Sequence, residues 1–144
     1  MKFISSEYTD GISIVKLNHL GKEFTGVAIT HPEEENPSEY FGGRLAETRA
    51  EVEALKYERR LLKEKTDAMI DFVKSCENYA KFDKDSVTAK MMYRQLNKRV
   101  GKVNKLADEI NTRLEWIQRA PSFRESALEA IDHRREYRTK EDNS

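Results

Sequence analysis

NPSEYFGGRLAETRAEVEALKYERRLLKEKTDAMIDFVKSCENYA, residues 36–80, decides how this chain must fold. Its apolar or small positions are Leu45, Thr48, Val52 and Leu55, then, after Arg59, Leu62, Thr66, Met69, Val73, Cys76 and Ala80. The steps alternate between three and four residues, the seam of a helix that packs along its length on another helix. Asn36 can cap the start, Pro37 suits the first helical position, and Glu39 sits where a capping box places its acid. No proline interrupts the run after Pro37, so the spacing predicts one helix over 36–80. Such a helix cannot bury its seam alone, and the rest of the chain has to cover it.

Upstream, residues 1–31 have a different texture. Phe3, Ile4 and Tyr8 mark a first strand, Asp10-Gly11 is a hairpin-turn signal, 12–18 reads as a second strand, and Gly21 marks the next turn before 23–31. Three strands of this length are marginal alone, so one face is expected to pack on a helix or on another copy's sheet. His31-Pro32 closes this region, and Glu33, Glu34 and Glu35 form an acidic connector. Gly42-Gly43 then falls in the first turns of the long helix, at a cost of about 2 kcal/mol relative to alanines. Either another backbone or ligand approaches closely there, or the first turn frays.

Downstream, residues 82–86 (FDKDS) read as a tight connector rich in possible N-caps. A second long helix is predicted over 86–119, with a seam of Leu96, Val100, Val103, Ala107, Ile110, Leu114 and Ile117. Two seams of similar length joined by a short connector make an antiparallel helical hairpin. Ala120-Pro121 breaks it, and Ser122 with Glu125 opens a short third helix over 122–136, followed by a polar tail, 137–144. The expected fold is α+β: an N-terminal antiparallel β-meander, a long helical hairpin and a short C-terminal helix in a single, oligomeric domain.

Charged residues make up 36% of the chain and hydrophobic ones 38%, too lean for a large core, so a second chain is expected to complete the burial. Lys and Arg (26) balance Asp and Glu (26), and on that zero net charge neither duplex nucleic acid nor a membrane surface is an expected partner. The sequence has no apolar run of signal-peptide or membrane-span length, which predicts a soluble, intracellular protein. The single cysteine, Cys76, lies on the seam and reads as a small buried hydrophobe. The chain has no C-x-x-C, H-E-x-x-H, Gly-rich phosphate loop or G-x-S-x-G elbow. His19, His31 and His133 are dispersed, and a metal on His31 with Glu33–Glu35 is outweighed by a solvated acidic loop. No enzyme, cofactor or metal is expected.

Arginines and aromatics near element ends carry more. Arg59 takes a seam position with Arg60 beside it, and Arg113 lies next to Leu114. A charge in a seam costs desolvation unless an anion meets it. That anion is either a glutamate of the same bundle or a neighbouring subunit, or a bound phosphate, which suits the guanidinium fork. WIQRAPSFRESAL gathers Trp116, Arg119, Ser122, Phe123 and Arg124 around a helix start. Free amides and two arginines there could hold phosphate while the rings stack on a base; alternatively Trp116 and Phe123 are staples between the second and third helices. Phe82, in the connector, is either a hydrophobic plug or a further stacking residue.

The order of a short sheet, GVAITHPEEE, EYFGGRLAETRAEVEALKYER and a second long helix resembles small phage-encoded proteins, and more narrowly the first-described Thoeris anti-defence sponge family. The resemblance implies a non-catalytic homo-oligomer, a dimer or hexamer, in the cytoplasm of an infected bacterial host. It would sequester cyclic ADP-ribose-type immune signals made by TIR-domain proteins, and cyclic oligonucleotides at separate sites, without cleaving them. Family pockets combine an aromatic stacked on adenine with arginines on phosphates, drawn from more than one protomer. On this sequence the resemblance implies Phe82, Arg119, Ser122, Phe123 and Arg124 for the first site and Arg60 with Arg113 for the second. A coiled-coil scaffold or protein-interaction module of a phage stands as the alternative reading.

Overall fold

The computed structural model describes residues 1–29 and 39–120. Its elements are β1 (Lys2–Thr9), β2 (Ile12–His19), β3 (Lys22–Ile29), α1 (Glu39–Glu77) and α2 (Val87–Arg119). The fold is α+β, a three-stranded antiparallel sheet in the order β1-β2-β3 followed by two long helices. The Asn36–Pro37 cap, the 30–31 end of the third strand, the helix over 122–136 and the tail lie outside the described residues.

Both hairpin loops hold two residues, between the Thr9–Ile12 and His19–Lys22 pairs. Asp10 and Gly11 have φ of 51° and 79°, and Leu20 and Gly21 have 53° and 78°. Left-handed backbone at both central positions is the type I′ turn, whose twist matches that of the strands it joins. Leu20 is the misfit, since a side chain beyond Asn or Asp rarely adopts that conformation.

Alternation in β2 and β3 buries Ser13, Val15 and Leu17 with Phe24 and Ala28 on one face of the sheet. That face receives α1 at unusually short range. Ala46 and Ala50 are fully buried and join Val15, Leu17 and Ala28 in one core cluster, flanked by Leu45. A Cβ on Gly26 would overlap the Ala46 carbonyl oxygen and come within 2.7 Å of the Ala50 amide nitrogen. Gly42, one helical turn before Ala46, is tight against a side chain instead, since a Cβ there would stand 2.8 Å from the Ser13 hydroxyl oxygen. The close neighbour of the glycine pair is therefore a side chain of the sheet, met at Gly42, and not another backbone, whereas Gly43 faces open space.

α1 ends at Glu77, three residues before the expected Ala80. The chain there tightens into shorter turns, with Tyr79 N–H donating to the Cys76 carbonyl and Phe82 N–H to that of Tyr79. Ala80 is accordingly exposed and off the seam, and Cys76 is only half-buried. α2 starts as expected: the Ser86 hydroxyl accepts from the Ala89 N–H at 3.1 Å, an N-cap. The α2 seam differs from the apolar reading toward its end. Val103, Leu106 and Ile110 are buried, Arg113 and Trp116 are half-buried, and Leu114 is 40% exposed.

The chain divides into two compact units, Met1–Ala54 with Thr112–Ser144, and Leu55–Asn111. In the first, the start of α1 packs on the sheet and meets the last turns of α2 through Phe41 and Glu51. The second is the helical hairpin, with Leu55, Thr66 and Val73 of α1 and Ala89, Val103, Leu106 and Ile110 of α2 buried. The Thr66 hydroxyl donates to the Leu62 carbonyl at 2.7 Å, which is how a polar side chain is accommodated in that seam. Among the described residues no helix is long and apolar enough to cross a membrane.

Candidate functional site

Lys56, Arg59, Arg60 and Lys63 follow one another at i, i+3, i+4 and i+7, so α1 presents four cations along one side. With Ala107, Ile110 and Asn111 of α2 they line a groove of about 580 Å³ in the hairpin unit. That volume falls within the range of small-ligand sites. Exposed cations along a helix are ordinarily just solvated. Arg59 departs from that pattern, because its Nε is buried and has no hydrogen-bond partner among the described residues. A buried N–H without an acceptor costs about 1–3 kcal/mol, more for a charged group, so an anion in the groove would meet an existing need. Arg60 spreads over the Tyr57 ring, 5.5 Å from guanidinium carbon to ring centroid, which holds its fork in a defined plane.

Of the residues expected from sequence, Arg60 lies in this groove. Arg113 does not: its Nε donates to Glu51 Oε2 at 3.0 Å within the sheet-bearing unit. Arg44 reaches the other oxygen of Glu51 at 3.4 Å and Glu47 at 3.4 Å. Arg113 thus takes the glutamate of its own chain that the sequence offered as one of two partners. Arg60 belongs to the hairpin unit and Arg113 to the sheet-bearing one.

Phe82 stands edge-on to Tyr93, with ring centroids 6.4 Å apart and planes at 79°. Around them Glu77, Asp83, Lys84 and Asp85 line a recess of about 460 Å³. Desolvation first, and then the Glu77 carboxylate that accepts its hydrogen bond, raise the Tyr93 phenol above its ordinary value. Three carboxylates against one lysine repel a phosphate, and the ring already has an aromatic neighbour. This setting matches the plug reading of Phe82. Arg119 is the last residue of α2 and exposed. Phe82 belongs to the hairpin unit and Arg119 to the sheet-bearing one. Ser122, Phe123 and Arg124 lie outside the described residues. Trp116 packs on Phe41 of α1, with centroids 6.2 Å apart.

The sequence reading passed over Lys56, Lys63 and Asn111, and noted Arg59 only as a seam anomaly. The available signal was the i, i+3, i+4, i+7 spacing of the four cations. Among the described residues no group of three His, Cys, Asp or Glu is placed to hold a metal. No family model, curated protein or solved structure matches the chain.

Proposed function

We propose that the chain binds a small phosphate-bearing nucleotide in the groove of Lys56, Arg59, Arg60 and Lys63 and sequesters it uncleaved. The resemblance to the Thoeris anti-defence sponges gives the ligand class, cyclic ADP-ribose-type immune signals, with cyclic oligonucleotides as a second class. On this reading a phage makes the protein in the bacterial cytoplasm, where bound signal no longer reaches its effector. The single observation that carries the reading is the buried, unsatisfied Nε of Arg59 amid three further cations. Two phosphates would each accept charge-assisted hydrogen bonds from guanidinium forks out of bulk water, which favours tight binding and slow release. Homo-oligomers would multiply the sites.

The test is thermal unfolding with and without cyclic ADP-ribose isomers and cyclic tri-adenylate, followed by chromatography of the heated sample. A ligand at ~100 times its dissociation constant adds about 2.7 kcal/mol and moves the midpoint visibly. A shift with intact ligand recovered is expected. Converted ligand would replace the sponge with an enzyme, and no shift with any nucleotide would sink the reading. An interaction module is then next, favoured by Phe72, Tyr79, Val87 and Met91, all exposed on the hairpin unit. Self-association in sedimentation without any ligand shift is its signature.

A further inference from the structure

The zero net charge of the chain conceals a strong segregation. The Leu55–Asn111 unit has fourteen Lys and Arg against nine Asp and Glu, leaving twelve against seventeen for the remainder. Over residues 86–107 the imbalance is complete: no acid occurs between Asp85 and Asp108, while Lys90, Arg94, Lys98, Arg99, Lys102 and Lys105 do. All six are exposed, and no ion pair among the described residues involves them. Five of them (90, 94, 98, 102 and 105) step by four, four, four and three. At 3.6 residues per turn they occupy an arc of about 120°, opposite the buried Ala89, Val103 and Ile110. The stripe runs about 22 Å, with a cation roughly every 6 Å.

Solvated helix faces ordinarily interleave both signs, because like charges at i, i+4 destabilise the helix. α2 repeats that unfavourable pairing at 90/94, 94/98 and 98/102. A second local cost falls in the same arc. Gly101 is exposed in mid-helix, and a Cβ there would meet nothing within 4 Å, so no packing within the described residues requires the glycine. A side-chain-free saddle among Lys98, Lys102 and Lys105 is what close approach of another backbone needs.

We infer that this face of α2 is a track for the phosphodiester backbone of duplex nucleic acid, read without regard to sequence. The charge spacing suits a polyanion, and phosphate contacts of this kind carry affinity but no base information. From Arg94 to Lys105 the exposed positions carry no aromatic, so the stacking platform of single-strand binders is absent from this stretch. Over the same stretch the apolar Leu96, Val100 and Val103 all turn away from the arc, so it offers nothing to sink into a bilayer, and the exposed Val87 and Met91 lie only at the N-terminal end of the arc. The track is separate from the α1 cations of the groove and does not depend on the nucleotide reading.

The test measures anisotropy of a labelled ~20-base-pair DNA with the full chain across 50–200 mM salt. Neutralising about five phosphates gives a slope of log K against log salt near −4.5, a loss of about 500-fold over that range. Lys98→Gln/Lys102→Gln/Lys105→Gln should flatten the slope by about 0.9 per charge removed while keeping the thermal midpoint and any shift by cyclic nucleotides. Gly101→Ala should raise the thermal midpoint and yet weaken duplex binding. No duplex binding at 50 mM salt overturns the inference, as does a triple variant that binds like the parent. Tighter binding to vesicles of anionic phospholipid than to duplex would overturn it in favour of a membrane surface. Undiminished binding by Gly101→Ala would remove the backbone saddle from it.

Discussion

Arg113 and Arg59 are two half-buried arginines on helical seams, and the chain treats them in opposite ways. Arg113 sits in the sheet-bearing unit with its Nε on Glu51, while Arg44 takes the second oxygen of that carboxylate. Arg59 sits in the hairpin unit with its Nε buried and no acceptor among the described residues. The first unit is closed in the packing sense as well, with helix backbone laid directly on a glycine of the sheet. The second keeps an excess of cations along a groove and along the outer face of α2. The difference teaches that a charged seam residue has no fixed meaning. Where a carboxylate answers it, the residue is architecture; where nothing does, it is the place to look for a ligand.

The closed unit should be the easier of the two to break. Gly26→Ala places a methyl into the Ala46 carbonyl, and neither helix backbone nor strand can yield cheaply. A loss of about 3 kcal/mol or more is expected in urea unfolding. A change below 1 kcal/mol would mean that α1 does not rest on β3 as described. Glu51→Gln comes next in size. It removes the charge that answers both Arg44 and Arg113 at a side chain only 13% exposed. With the partly exposed arginines discounted for solvent screening, the expected loss is about 2 kcal/mol. A neutral outcome would remove the contrast between the two arginines.

The sheet, its turns and the two helices were legible because each follows from local chemistry: alternation, Asp10-Gly11 and Gly21, and a three-and-four spacing. The connector offered several N-caps, of which Ser86 serves α2. The end of the α2 seam was not. A reading that looks for apolar side chains chooses Leu114, whereas the inward position belongs to Arg113, whose partner Glu51 is 62 residues away. The tight helix–sheet approach had only half a signal, since Gly26 announces a close neighbour without saying which one. As for the site, Arg60 was found through its seam-flanking position. Lys56 and Lys63 were lost among the many charges that cover both helices, and only the Asn111 side of α2 turns their spacing into a groove.

Arg59→Met sharpens the comparison because its effect should carry the opposite sign from Glu51→Gln. Methionine keeps the length of the side chain, fills the seam, and removes the buried, unsatisfied N–H. A gain of about 1 kcal/mol in urea unfolding is expected. The same variant should lose the thermal shift given by cyclic nucleotides, so stability and binding move apart. A destabilised Arg59→Met would show that Arg59 is satisfied after all and belongs with Arg113.

The smallest effect lies at the tip of the hairpin unit, where Tyr93 donates to Glu77. The unfolded chain releases this phenol's proton near the ordinary value of about 10, and the folded chain does so only above it. The neutral phenol therefore contributes stability that is whole below about pH 10 and is lost as pH rises through the folded value. Spectrophotometric titration of the folded protein, minus the same curve for Tyr93→Phe, should isolate one phenolate component with a midpoint above 10. Glu77→Gln should return that component toward its ordinary value, since it removes the carboxylate while leaving Phe82 against the ring. A component already at the ordinary value in the parent would mean that the tip is open to water and that Phe82 is not a plug.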